Sequence, residues 1–175
     1  QFAAVEDRRK ALTERLAALT EAQRRFQPAA NSWSPIEVTD HLVLTDEALL
    51  TCFIAPGTKT PVRKKLSERF MGIAVGVVFR FGFRVSIPVE EIRPRPDVDF
   101  EALQKRWVDA RNRLRERLER VSESNAAAPF VHHPVAGPLS AAESLGFLVR
   151  HHDHHMRQMA RIEAATAYPE RNDER

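Results

Sequence analysis

The chain has 175 residues, with 27 Lys and Arg against 24 Asp and Glu, a net charge of +3 when histidine is neutral. That length sets a prior of one domain able to bury a core. Its 43% apolar and 29% charged residues exclude wholesale disorder. A single cysteine, Cys52, excludes an intramolecular disulfide framework and cysteine-rich zinc modules, and a reduced, cytoplasmic setting is expected.

Gln1-Phe2-Ala3 opens a mixed-charge segment rather than a basic stretch followed by an apolar one, so no signal peptide is read. Residues 4 to 25 are expected as one helix, with Val5, Leu12, Leu16 and Leu19 at helical spacing among charged residues. Pro28 and Ala29-Ala30-Asn31 break it. Ser34, Pro35 and Glu37 then give a complete start signal: an N-cap serine, a proline at the first helical position, and a glutamate three residues on. A second helix is predicted from Pro35 to Phe53, with Trp33 stapled beside its start and Pro56-Gly57 beyond its end.

Residues 62 to 83 begin basic and become apolar, with three of the chain's six glycines at 72, 76 and 82. A short apolar helix or loop insertion is expected around residues 60–95. The uncharged run from Phe70 to Phe79 is half the length a membrane span needs, about 20 residues. No membrane partner is expected. Pro88, Pro94 and Pro96 mark residues 87 to 96 as an extended connector.

Asp99 is the predicted cap of a third long helix, Phe100 to Ser122, whose apolar stripe is Leu103, Trp107, Ala110, Leu114, Leu118 and Val121. Its arginines, Arg106 and Arg111 among them, alternate with acidic residues and read as a solvated face rather than a nucleic-acid groove. Residues 123 to 138 are expected to be loop. A last helix is predicted from Ser140 to Thr166, with a frayed tail over 169–175 and a single domain over 1–168. Four long amphipathic helices make the fold class all-α, a helical bundle.

Six of the seven histidines lie between 132 and 155, densest in His151-His152-Asp153-His154-His155. On a helix His151 and His155 share one face at the i,i+4 spacing that helical metal sites use, and Gln158 continues that face. His152 and His155, at i,i+3, form a competing pair on an apolar seam with Leu145, Leu148, Met159 and Ile162. Spacing leaves the choice open, and His154 points elsewhere on either. His41, on the core-facing stripe of the second helix, is the candidate third imidazole. Glu37, one turn before it, is a candidate acceptor for its ring as well as a cap. His132 and His133 read as loop-capping or exposed.

Trp33-Ser34-Pro35-Ile36-Glu37-Val38 with His41-Leu42, then His133-Pro134, Gly137-Pro138-Leu139-Ser140, and His151 to His155 with Gln158, together resemble the DinB/YfiT-like superfamily of metalloenzymes over residues 5 to 165. The resemblance implies a four-helix bundle of up-down-down-up topology. It also implies a divalent metal, zinc or nickel, held by His41, His151 and His155. Some relatives are thiol-dependent transferases or isomerases that use low-molecular-weight thiols, and members are often dimers. The expected function is therefore metal-dependent chemistry on a small molecule, transferase-like or hydrolase-like, with Gln158 and Glu37 beside the ligands. The rival expectation is a structural or sensory metal site without turnover.

Overall fold

The computed structural model describes residues 1–54, 90–134 and 136–170, with isolated positions at 65, 66, 70, 72 and 74. Apart from those isolated positions, the expected apolar helix over 62–83 lies outside the described residues. Four long helices carry the fold: α1 (Phe2–Ala17), α3 (Pro35–Thr51), α4 (Phe100–Leu118) and α5 (Ala141–Glu163). A short α2 (Glu21–Arg25) follows α1, a 3-10 turn spans Glu90–Ile92, and a hairpin of β1 (Val131–His133) and β2 (Gly137–Leu139) precedes α5.

Side-chain pairs give the direction of each helix. Arg8 meets Asp153 and Arg15 meets Glu163, both at 2.7 Å, so α1 and α5 run parallel. Arg106 meets Asp40 at 3.2 Å and Arg111 meets Asp46 at 2.7 Å, so α3 and α4 also run parallel. His41 faces His151 while the end of α3 packs with the start of α5, which makes those two antiparallel. The order is up-down-down-up. A parallel α3–α4 pair requires the chain to travel back along the bundle between them, about 25 Å for a 17-residue helix.

The core divides along the bundle axis. One cluster gathers Val5, Leu49, Leu114, Leu139 and Leu148 at the hairpin end; the other gathers Leu16, Leu42, Leu103, Trp107 and Met159 at the opposite end. The four-helix bundle agrees with the sequence reading, and three details differ from it. The expected first helix is two, because Thr20 accepts from Gln23 N and Gln23 returns the bond to Thr20 N, starting a new helix at Glu21. The expected loop over 123–138 contains the hairpin, whose turn places Gly137 at φ 69°, a conformation side chains resist. The expected connector over 87–96 contains the 3-10 turn. Among the described residues no helix is long and apolar enough to cross a membrane.

Candidate metal centre

Two capping boxes set the helices that bring the histidines together. Ser34 Oγ accepts from Glu37 N, and Glu37 Oε2 accepts from Ser34 N at 2.8 Å, fixing where α3 begins. Ser140 and Glu143 do the same for α5. The helices then place the imidazoles: His41 on the second turn of α3, His151 and His155 on successive turns of α5.

The three rings meet in the interior. His41 Nε2 lies 3.2 Å from His151 Nε2, and His155 Nε2 lies 3.0 Å from the same atom. The three donor atoms all fall within 4.8 Å of one another. Each residue is buried, with 3%, 5% and 6% of its surface exposed for His41, His151 and His155.

The far nitrogens of two rings are committed. His41 Nδ1 donates to the Ile92 carbonyl at 2.7 Å, and His155 Nδ1 donates to Gln158 Oε1 at 2.8 Å. A neutral imidazole with its proton on Nδ1 carries its lone pair on Nε2. Both lone pairs therefore aim at the common point, and at most one proton is available among three nitrogens. Burial pushes the His41 pKa below its usual value. It pushes His151 and His155 well below theirs, with neighbouring imidazoles adding repulsion.

Such a nitrogen cluster fits a cation. Zinc–imidazole bonds of about 2.0–2.1 Å at tetrahedral angles put ligand nitrogens about 3.3 Å apart, close to the spacings of 3.0 and 3.2 Å here. Imidazole donors also suit zinc, nickel, copper and iron better than magnesium or calcium.

The other sequence candidates fall as follows. Gln158 touches the cluster through His155. Glu37 does not: its Oε2 receives Ser34 and Gln27, and the acceptor for His41 is the Ile92 carbonyl. His152 is turned from the cluster, donating from Nδ1 to Leu148 O at 2.6 Å and accepting at Nε2 from Arg111 Nη2 at 3.0 Å. His154 is buried, its ring edge-on to His155 at 4.9 Å. Asp153 points outward to Arg8. His133 Nδ1 accepts from Ala136 N at 3.1 Å, the loop-capping role expected of it.

Three features escaped the sequence reading. Trp33 tilts against His41, centroids 5.0 Å apart, and stacks near His155 at 6.3 Å, forming a wall of the cluster. Asp40 is fully buried and held by Arg95 and Arg106, anchoring the segment that brings Ile92 to His41. Arg111, expected on a solvated face, is 1% exposed. It lies one residue past Ala110 in the stripe, and Asp46 on α3 draws its guanidinium inward. Only the Trp33 position carried a local signal, the residue just before an N-cap.

The sequence profile of the DinB superfamily matches residues 4–159. No curated protein matches the sequence at a significant level. Among solved structures the chain is similar to YfiT from Bacillus subtilis, described as a probable metal-dependent hydrolase with an unusual four-helix bundle topology. The TM-score is 0.57 at 12% identity, over 96% of this chain and 86% of that one, a likeness of fold. With a profile match running from the first turn of α1 to near the end of α5, the chain belongs to the DinB superfamily.

Proposed function

We propose that the chain is a metal-dependent enzyme in which His41, His151 and His155 hold one divalent ion and a small-molecule substrate takes the remaining coordination position. The observation that carries this is the convergence of three Nε2 atoms, two of them with their Nδ1 protons already committed. An ion bound there supplies Lewis acidity that lowers the pKa of a water or thiol placed against it.

The chain's own groups prepare that chemistry. The Ile92 carbonyl and Gln158 hold the Nδ1 protons, so that His41 and His155 need no proton loss to coordinate. Three neutral ligands leave the ion's full charge for polarising what it meets. Trp33 shields one side of the site from water. Within this reading the ion is zinc or nickel, and the nucleophile is a low-molecular-weight thiol or water, giving S-transfer or hydrolysis. The thiol reading follows from the resemblance in sequence, the hydrolytic one from the description of YfiT. A cytoplasmic location and a homodimer are carried from the same sequence reading.

Metal analysis of untagged protein, followed by a screen of small thiols with model electrophiles and of activated esters and amides, tests the proposal. Metal-dependent turnover that disappears with chelator supports it. A second reading, a structural or sensory metal site, is favoured by the burial of all three imidazoles. It predicts bound metal, a large loss of stability without it, and no turnover in either screen.

A further inference from the structure

The histidine run on α5 can face α3 in two ways. His151 with His155 and His152 with His155 are both ligand-spaced pairs, and a rotation of α5 by about 50° exchanges one face for the other. We propose that Arg111 is a positioning residue that selects between them, by capturing His152 and so leaving His151 and His155 to meet His41. This inference rests on reading those three histidines as one centre.

The capture is specific. Arg111 Nη2 reaches both Asp46 Oδ2 on α3, at 2.7 Å, and His152 Nε2 on α5, at 3.0 Å. Trp107, one turn earlier on α4, donates from Nε1 to Asp46 Oδ2 at 2.6 Å and stacks its indole on His152 with 5.7 Å between centroids and 13° between planes. Arg111 Nε lies 3.5 Å from Glu6 Oε1 on α1. One guanidinium thus joins all four long helices. Arg111 and His152 are 1% and 0% exposed.

Stability alone does not account for this arrangement. A buried ion pair often contributes nothing net against apolar residues of the same volume, because desolvation offsets attraction. Its attested value is in fixing a register, and the planar fork of an arginine suits that task. Here the competing register is written into the sequence as His152.

Asp46→Asn together with Arg111→Met tests the assignment in the full chain, metal-free and with zinc. Both charges leave at once, so neither is stranded, and the asparagine carbonyl still accepts from Trp107. The double variant is expected to keep its helical circular dichroism and a cooperative melt. Ring-proton NOEs between His41 and His151 should weaken while contacts between His41 and His152 emerge. Its zinc Kd should rise about tenfold or more. A single wild-type set of His41–His151 NOEs with unchanged zinc affinity overturns the proposal. If the double variant does not fold, Arg111→Lys keeps the charge without the fork; wild-type NOEs and affinity in that variant overturn it equally. Wild-type protein that binds no zinc would sink the metal reading instead, and the NOEs would still decide the register.

Discussion

Two acceptors, the Ile92 carbonyl and Gln158 Oε1, govern what the central imidazoles can do, because each holds a proton on the side away from the cluster. Removing a ligand and removing its support should therefore differ in degree. His151→Ala and His155→Ala are each expected to abolish metal binding in titration calorimetry, and His41→Ala to weaken it sharply. His154→Ala should retain it. Gln158→Leu should fold normally and lose about 10–100-fold in metal affinity, since His155 remains but its ring is no longer oriented. Proton competition follows from the depressed pKa values of the same rings: with all three below the ordinary 6.5, metal occupancy should be flat from pH 8 to 6.5 and fall only in more acid solution. Occupancy that already declines at pH 7 would contradict that burial. Both ligand-spaced pairs on α5 were legible in the sequence because helical period is local, while the choice of His151 over His152 came from the family resemblance and not from spacing. Arg111 was not legible, since its partners lie on three other helices.

At the scale of elements, caps and seams explain most of what could be read. Ser34, Pro35 and Glu37 announce α3, and Asp99, which accepts from Ala102 N at 2.7 Å, announces α4. The break between α1 and α2 was missed although Thr20 and Gln23 spell a capping box; the continuing apolar spacing through Leu19 concealed it. The hairpin was missed because its strands are three residues each and depend on the end of α3, where Phe53 bridges to Val131. Two substitutions check this level. Ser34→Ala should lower stability by about 1 kcal/mol in urea titration. Leu148→Ala, at a fully buried position in the hairpin-end core, should cost about 2–5 kcal/mol.

For the whole molecule, direction is the property that sequence pattern carried least. Each amphipathic helix specifies a buried face but not which end is up; the parallel pairing of α3 with α4 comes from long-range contacts such as Arg106 with Asp40 and Glu47. The topology entered the sequence reading through resemblance to a family, not through period. Stability of the metal-free bundle should depend on pH through its buried histidines. Burial holds His152 at about 3 and His133 at about 4, whereas the unfolded chain protonates near 6.5. Below pH 6.5 the unfolded state thus binds more protons, and stability should fall as pH drops from there towards 3. Asp40 and Asp46, raised by burial to about 6, act in the opposite sense between about 4 and 6. Two carboxyls are outnumbered by five depressed histidines, so the net slope should be positive. Urea denaturation of chelator-treated protein across this range measures it, and a maximum below pH 5 would contradict the assignment.

X-ray absorption at the metal edge, on untagged wild-type protein and on His151→Ala, goes most directly to the centre itself. The expected spectrum is one zinc or nickel per chain, bound by three imidazole nitrogens at about 2.0–2.1 Å with a non-protein fourth ligand. That signature should vanish from the variant. A metal-free wild type, or an imidazole count that survives the loss of His151, would contradict the account.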